Sequence, residues 1–125
     1  MDKLGLGRKM ERAAMARWVW HGFNCWQPPR AKWSTQDIFD LFDFIAVKPD
    51  CPVNFVQVKR HRATELEGAR IAISAFAALY PIPASYFLVS WRKAKGNDAG
   101  ALFEAWELLP NGRWASAGTW FDEVE

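Results

Sequence analysis

Apolar positions recur at helical spacing near the start of the chain and at strand spacing farther along it. Residues 3–21 are dominated by Ala, Met, Arg and Trp, and Gly22 supplies a C-terminal stop, so this segment is predicted to be a helix. One face of the helix carries residues at i, i+3, i+4 and i+7, namely Glu11, Ala14, Met15 and Trp18. We expect this face, which is apolar apart from the glutamate, to press on a sheet.

Short apolar runs bounded by turn residues predict strands along the rest of the chain. These runs cover residues 23–28, 39–47, 54–60, 85–92, 101–109 and 113–117. Residues 29–37 are predicted to form a polar loop, and residues 48–52 a turn between two antiparallel strands. Asn111 and Gly112 form a strong hairpin-turn signal between the last two strands.

A second helix is predicted after the third strand. Residues 64–67 read Thr-Glu-Leu-Glu, a capping-box pattern, and the helix runs to about Tyr80 before Pro81 and Pro83 end it. The element order is then α-β-β-β-α-β-β-β, without a repeat, a low-complexity tract or a linker. This order predicts a mixed central sheet flanked by helices, an α/β protein that forms a single domain over residues 1–125.

Composition narrows the class of protein further. Half of the residues are hydrophobic, and the eight Trp and nine Phe suit a heavily packed sheet and a partner surface. No run of about twenty apolar residues is present, and the first residues lack the apolar run of a secretory signal, so we expect no membrane span and a cytoplasmic location. Cys25 and Cys51 match no zinc-ligand spacing; a disulfide stays open, and two buried thiols are expected.

Two neighbouring predicted strands carry polar residues among their apolar ones, and these polar residues are expected on the same face of the sheet. Strand alternation turns Asp43 and Val47 to one face, and it likewise groups Phe55, Gln57 and Lys59 on the next strand. An antiparallel register with Val47 opposite Phe55 brings Asp43 opposite Lys59 and clusters it with Gln57. A register shifted by two residues keeps the same cluster.

These residue types suit phosphodiester hydrolysis, which needs a divalent cation to create hydroxide and to stabilise charge on the phosphate. Mg²⁺ prefers oxygen ligands, so Asp43 is the candidate central ligand, with the Gln57 side-chain oxygen and the Val58 carbonyl as further ligands. Glu11 is a candidate for holding a metal-bound water or a second ion. Lys59 is a candidate for orienting the attacking water or stabilising the charge that develops on phosphorus.

The same residues resemble a known family. Residues 43–47 and 55–59 resemble the D…(D/E/Q)-x-K core of PD-(D/E)XK nucleases, and Glu11 resembles the first-helix glutamate of archaeal-type Holliday junction resolvases. The resemblance covers roughly residues 5–92. It implies a restriction-endonuclease-like αβββαβ core with an extra C-terminal β-hairpin, and it makes Ser34 the counterpart of a functional serine in the loop after the first strand.

The sequence departs from this family at one ligand. Gln57 stands where an acidic residue is usual, which removes one negative charge from the metal site and leaves room for Mn²⁺ as well as Mg²⁺. Asp40 is a candidate substitute ligand, although it would face the other side of a regular strand. The resemblance does not explain the aromatic C-terminal hairpin.

Charge along the chain fits a nucleic-acid partner. Residues 1–95 carry fifteen Lys and Arg against eight Asp and Glu, whereas residues 96–125 carry one against six. A basic body of this kind suits a polyanion held on one face. Phosphate contacts are expected from seven basic residues near the candidate site: Arg8, Lys9, Arg12, Arg30, Lys32, Arg60 and Arg62. His61 is either a proton donor or a surface histidine.

The resemblance implies a Mg²⁺-dependent endodeoxyribonuclease, in the first place a Holliday junction resolvase that cuts branched DNA as a homodimer. A two-fold dimer would supply the two sites that symmetric cuts require. Another stand-alone PD-(D/E)XK nuclease stays open, whether a VRR-NUC-like flap nuclease, a nickase or a restriction-type enzyme. A DNA-binding homologue without catalytic activity is the third reading, because Gln57 replaces an acid.

Overall fold

The computed structural model describes residues 3–29, 37–94 and 100–122. The described residues form two helices and six strands in the predicted order. Their bounds are α1 (Lys3–Trp20), β1 (Asn24–Trp26), β2 (Phe44–Val47), β3 (Val53–Arg60), α2 (Ala63–Leu79), β4 (Ala84–Lys93), β5 (Ala101–Leu108) and β6 (Trp114–Asp122). The predicted α/β class is therefore confirmed. Neither helix of this part of the chain is long and apolar enough to cross a membrane.

All six strands belong to one sheet, and they lie side by side in chain order from β1 to β6. Neighbouring strands run antiparallel except β3 and β4, which are parallel. A parallel pair needs a crossover connection, and α2 provides it between these two strands. The sheet is therefore mixed, as predicted.

Helix α1 covers one face of the sheet, with Ala14 and Trp18 of the predicted face buried and Glu11 and Met15 half-buried. Met10, Ala14 and Trp18 are buried against a cluster that includes Phe44 and Val56 of β2 and β3. Beyond the helix, Gly22 adopts a φ of 92°, which glycine reaches at little cost, and the Phe23 amide donates to the Trp18 carbonyl at 3.1 Å. The predicted glycine stop is thus confirmed.

Helix α2 covers the opposite face of the same strands. Its buried residues Leu66, Ala69 and Ile73 pack with Phe55 and Tyr86, which alternate along β3 and β4 with the residues that face α1. The sheet is thus sandwiched between the two helices over its β2–β4 part, and this packing fixes which way each polar residue of β3 points.

The beginning of the second helix differs from the prediction. Helix α2 starts at Ala63, and Arg62 occupies the N-cap position without a side-chain capping hydrogen bond. Thr64 therefore lies inside the helix, and the predicted capping box is wrong. Arg62 instead approaches Glu65 at 3.7 Å, an exposed pair of a kind that contributes little.

The second strand is much shorter than the predicted span of residues 39–47. The Ile38 amide donates to the Phe42 carbonyl at 2.8 Å and the Phe42 amide to the Ile38 carbonyl at 2.9 Å, which closes a tight turn. Phe39 and Asp40 hold left-handed φ angles of 53° and 56° inside this turn. Extended backbone cannot pass through such angles, so β2 begins only at Phe44.

The register between β2 and β3 also differs by two residues. Ile45 lies opposite Phe55, and Phe44 lies opposite Val56. The predicted pairing of Val47 with Phe55 is therefore wrong. Because the register differs by two residues, each side chain keeps its predicted face. If the same register is continued beyond Phe44, Gln57 rather than Lys59 lies opposite Asp43.

The C-terminal hairpin forms at the predicted turn. The Gly112 amide donates to the Leu109 carbonyl at 2.9 Å, and the Arg113 amide donates to Asn111 Oδ1 at the same distance. Strand β6 extends to Asp122, well beyond the predicted end at residue 117. The register of the hairpin shifts between Ala105 and Trp106, where β6 bulges by one residue.

Both cysteines are free thiols. Cys25 is half-buried on β1, and Cys51 is exposed in the turn between β2 and β3. The expectation of two buried thiols is therefore wrong for Cys51.

Candidate active site

The turn that shortens β2 delivers Asp43 to the end of the β2–β3 ladder. The Asp43 amide donates to the Val56 carbonyl at 2.9 Å, and Asp43 Oδ2 accepts from the Val58 amide at 2.6 Å. The carboxylate thus takes the position of the next backbone acceptor of a longer strand. Only 7% of Asp43 is exposed, so two bonds to one strand fix a buried carboxyl group in place.

The surroundings of Asp43 disfavour its charge. Burial and the neighbouring Glu11 carboxylate raise the pKa of Asp43 from its ordinary value of 3.8 to about 7, and Asp37 acts in the same direction. The hydrogen bond from Val58 and the charge of Lys59 act in the opposite direction. The carboxyl group is therefore half protonated near neutral pH, and a cation beside it would relieve the repulsion.

Glu11 reaches this region from α1, as its position on the helix face predicted. It is half-buried, and its Oε1 accepts a hydrogen bond from Gln27 Nε2 at 2.7 Å. Gln27 follows β1, so the edge strand orients the helix carboxylate. Glu11 also acts on the pKa of Asp43, which puts the two carboxylates in one electrostatic site.

Gln57 lies across from Asp43 in the extended β2–β3 register and has a buried side-chain oxygen. Its side chain is 7% exposed, and its Oε1 has no hydrogen-bond partner among the described residues. A buried amide oxygen without a partner is costly, on the order of 1–3 kcal/mol. This oxygen is therefore suited to a ligand that supplies positive charge or a proton.

The Val58 carbonyl points toward the same place. The Val56 carbonyl and the Val58 amide both bond to Asp43, so this edge of β3 faces β2 at both residues. The amide and the carbonyl of one strand residue point to the same side, which directs the Val58 carbonyl past the end of β2. An oxygen of the backbone thus joins the oxygens of the side chains.

Lys59 ends this stretch of β3, on the face that Gln57 occupies. It is half-buried, and its charge lowers the pKa of Asp43, although less than its neighbours raise it. Ser90 lies opposite Lys59 in the parallel β3–β4 ladder, and His61 Nδ1 lies 3.2 Å from Ser90 Oγ. His61 is exposed, and its role as a proton donor stays a prediction.

The predicted ligands divide into those that the structure brings together and those that it does not. Asp43 lies at the end of β2, bonded to the Val58 amide and across from Gln57 in the extended register, and Glu11 raises the pKa of Asp43 from α1. Asp40 is exposed in the left-handed turn and does not influence the pKa of Asp43. The prediction of Asp40 as a substitute ligand therefore finds no support, because the strand that was to carry it is a turn.

Asp37 and Gln27 belong to the site but were missed in the sequence. The sequence predicts that Asp37 lies in the polar loop of residues 29–37. If residues 39–47 were one extended strand, as predicted, Asp37 would lie far from Asp43. The turn at residues 38–42 folds the chain back, so Asp37 acts on Asp43 electrostatically. Only a signal for that turn could have found Asp37, and neither Phe39 nor Asp40 is the glycine that such a conformation usually takes.

The basic residues surround this region unequally. Arg8 and Arg12 are exposed on α1, and Lys9 is half-buried there. Arg60 is exposed, and its guanidinium lies 5.5 Å from the centre of the Trp91 ring. Three predicted residues, Ser34, Arg30 and Lys32, lie outside the described residues.

The candidate metal ligands are all oxygen atoms, but only two of them belong to acidic side chains. Within residues 3–29, 37–94 and 100–122, no group of three or more His, Cys, Asp and Glu side chains is placed to hold a metal ion. Two carboxylates, an amide oxygen and a backbone carbonyl nevertheless make an all-oxygen set, which suits a hard cation that keeps several of its waters. The types of donor atom present therefore match the ligand preference of Mg²⁺ or Mn²⁺.

The fold and this site together define an α/β protein with a buried carboxyl group at the open end of a mixed sheet. Comparison of the chain with protein-family models, with curated proteins and with solved structures finds no match in any of the three. The function must therefore be argued from the geometry of the site.

The raised pKa of Asp43 makes the stability of the fold depend on pH. The folded pKa lies above the unfolded one, so the folded state holds the proton more tightly, and stability falls as the pH rises from about 4 to about 7. The loss is on the order of 4 kcal/mol, at about 1.4 kcal/mol for each pH unit. Asp43→Asn keeps an acceptor for Val58 but does not titrate, so it should overtake the native protein in stability as the pH rises.

Urea unfolding in the presence of a chelator, at about pH 4.5, 6 and 7.5, measures this difference. Asp50→Asn is the matched control, because Asp50 is exposed in the turn at the far end of β2 and should show no change in the difference. A stability difference between Asp43→Asn and the native protein that stays constant over this range would contradict the raised pKa.

Proposed function

We propose that this protein is a metal-dependent DNA endonuclease of the PD-(D/E)XK type, with Glu11, Asp43, Gln57 and Lys59 as its active site. The observation that carries the proposal is the unpartnered buried oxygen of Gln57, a residue that lies across from the buried Asp43 when the β2–β3 register is extended by one pair. Burying two polar groups such as these is costly, and a role in binding a cation would explain why they are buried. The αβββαβ order, in which β3 carries Gln-Val-Lys, supports the same assignment.

Asp43, Gln57 Oε1 and the Val58 carbonyl would hold a Mg²⁺ or Mn²⁺ ion, which supplies an activated water and stabilises charge on the phosphate when bound. Glu11, held by Gln27, would hold a water molecule on the α1 side of the site. Hydrolysis adds water across one phosphorus–oxygen bond and releases a 3′ or 5′ oxygen as the leaving group.

Lys59 acts on the phosphate and also on the Asp43 ligand. Its ammonium group carries the positive charge that a phosphoryl oxygen needs as negative charge builds up on it. Lys59 stands two residues after Gln57, so both side chains lie on one face, and a phosphate between them contacts both. The lysine also lowers the pKa of Asp43, which favours the ionised form that binds a cation.

The DNA partner is supported by charge. Arg8 and Arg12 expose their guanidinium groups on the helix that carries Glu11, and Arg60 is exposed directly after Lys59. Cations on both sides of the carboxylates offset the repulsion between them and a phosphate backbone. Contacts of this kind bind DNA with little preference for sequence, and the affinity falls with salt.

Branched DNA is the preferred substrate, with four-way junctions first. Junction resolution needs two cuts related by a two-fold axis, and a homodimer supplies two such sites. Sedimentation at micromolar concentration tests this part by itself, and we expect a dimer. A strict monomer would remove the support for junction resolution and leave a flap nuclease, a nickase or a restriction-type enzyme.

A second candidate function has its own observation. The described residues hold no cluster of three acidic or other strong metal ligands, and Gln57 stands at the position that an acid would occupy. A DNA-binding protein that lacks catalytic activity fits this composition. The nuclease and the inactive DNA-binding protein differ in the cation binding that we expect, and variants of Gln57 test this difference.

Cleavage assays test the nuclease directly. Labelled four-way junction, flap, duplex and single-stranded DNA are incubated at low salt with Mg²⁺ or Mn²⁺ and with native protein, Asp43→Ala or Lys59→Ala. We expect both variants to lose at least about 100-fold in rate, because each removes a group that acts on the reacting phosphate. Lys48→Ala and Asp50→Ala are matched controls, since both residues are exposed at the opposite end of β2 and β3.

Paired symmetric nicks on the junction alone would establish a resolvase. Cleavage of flaps or duplex, also lost in the two variants, would keep the nuclease and discard the junction preference. Junction binding without any cleavage would leave the catalytically inactive protein as the better reading.

Cation binding tests the role of Gln57. Gln57→Glu restores a carboxylate and should bind Mg²⁺ about tenfold more tightly than the native protein, whereas Gln57→Leu, of similar size, should bind it more weakly. Titration calorimetry measures both, and the rise in melting temperature on adding the cation provides an independent readout. Absence of cation binding in the native protein and in Gln57→Glu alike would contradict a metal site here.

A further inference from the structure

A second site lies on the α1 face of the sheet, away from the carboxylates. A pocket of about 230 Å³ opens between the C-terminal end of α1 and strands β3 to β6. Its lining includes the aromatic side chains of Trp18, Phe87 and Trp120 and the polar side chains of Arg17 and Asn54. The proposed hydrolysis uses none of them.

The aromatic walls are held in place by their own contacts. Trp18 meets Phe87 and Trp120 edge to face, with ring centres 5.4 and 6.5 Å apart. With the Asn54 amide in its hydrogen-bonded orientation, its oxygen accepts from Trp18 Nε1 at 3.0 Å and its nitrogen donates to the Pro52 carbonyl. Such walls are preformed, so a ligand would cost little ordering of the protein.

Two polar features break this apolar lining. The Trp120 indole N–H is buried and has no partner among the described residues, while its ring stacks on Phe103 at 5.3 Å. The Arg17 guanidinium lies 5.3 Å from the Trp120 ring and 5.2 Å from the Trp20 ring. Trp120, which lines the pocket, therefore carries a buried hydrogen-bond donor without an acceptor, and Arg17 holds a cation between two indole rings.

These features select a ligand class. The volume is below the roughly 300 Å³ of pockets for drug-sized molecules, so the pocket takes about one ring system. An aliphatic group would leave the Trp120 N–H without an acceptor, which is costly in a buried place. A nucleobase is planar, carries acceptors on its edge, and is joined to a phosphate that the Arg17 guanidinium can bind.

We propose that this pocket takes one unpaired nucleobase of the DNA, with the Trp120 N–H bound to the base and Arg17 bound to the adjacent phosphate. The proposal rests on the proposed function and gives it a source of substrate preference. A base inside a duplex cannot reach such a pocket without leaving its stack, which costs a few kcal/mol, whereas an unpaired base does not bear that cost in full. Branched or bulged DNA is therefore favoured over intact duplex.

The spacing to the carboxylates fits a short stretch of one strand. Arg17 lies six residues after Glu11 on α1, about 9 Å along the helix axis. Asn54 lies four residues before Val58 on β3, about 13 Å along the strand. At about 3.4 Å for each base step, the unpaired base lies roughly three or four nucleotides from the phosphate at Asp43.

Binding without chemistry tests the pocket separately from the nuclease. The probe is a duplex with a single bulged 2-aminopurine, compared with the same duplex fully paired, titrated in chelator so that no divalent cation is present. We expect the native protein to bind the bulged probe about tenfold more tightly and to quench its fluorescence, because stacking is worth about 1–3 kcal/mol for each base.

Trp120→Phe keeps the ring on Phe103 but removes the N–H, and it should lower this preference about fivefold, as the loss of one hydrogen bond predicts. Arg17→Gln should weaken binding of the bulged probe as well. Trp26→Phe is the control, since Trp26 is exposed on β1 and lies outside the pocket. Thermal unfolding of each variant shows whether it is folded.

Equal binding of bulged and paired probes, or a preference that survives in Trp120→Phe and Arg17→Gln, would overturn the pocket assignment. Binding of free nucleoside monophosphate without a DNA preference would replace it with a small-molecule site. A bulge preference in a protein that cleaves no DNA would keep the pocket and reject the nuclease. Cleavage that depends on Asp43, with no preference for the bulged probe, would keep the nuclease and reject the pocket.

Discussion

The hydrogen bond from the Val58 amide to the Asp43 carboxylate is the constraint on which the site depends. At 2.6 Å it takes the place of a backbone bond between two strands, so β2 can stop at Phe44 while β3 continues. The Val58 carbonyl is directed into the space that this early ending leaves, and Gln57 is the β3 residue across from Asp43 at the same point. A longer β2 would fill that space with its own backbone and leave no room for a ligand.

Much of the fold follows from local patterns in the sequence. The stop at Gly22 and the turn at Gly112 each need a positive φ that glycine adopts readily, so the sequence marks them plainly. The turn at Phe39 and Asp40 uses the same region of backbone space without a glycine, and a run of apolar residues there favours a strand instead. Tertiary packing against α2 overrides that local preference.

The sequence indicates which residues are candidates for the site better than it indicates which of them lie next to each other. Strand periodicity fixes which face Gln57 and Lys59 occupy, and an even shift in register leaves that face unchanged. Periodicity cannot distinguish two registers that differ by two residues, so it did not show which of them lies beside Asp43. The part played by Asp37 depends on a turn that brings the chain back on itself, and no spacing rule along a strand could reveal it.

The half-protonated carboxyl group at Asp43 links two equilibria that are often treated apart. A cation that binds an ionised Asp43 must displace its proton, so uptake of the ion releases acid, and the apparent affinity rises with pH up to the pKa of about 7. Below the pKa, each further unit of acidification would lower the apparent affinity for the proposed cation by up to about tenfold. Under the proposed function, the site would exchange a proton for a cation, and its occupancy would depend on the concentrations of both.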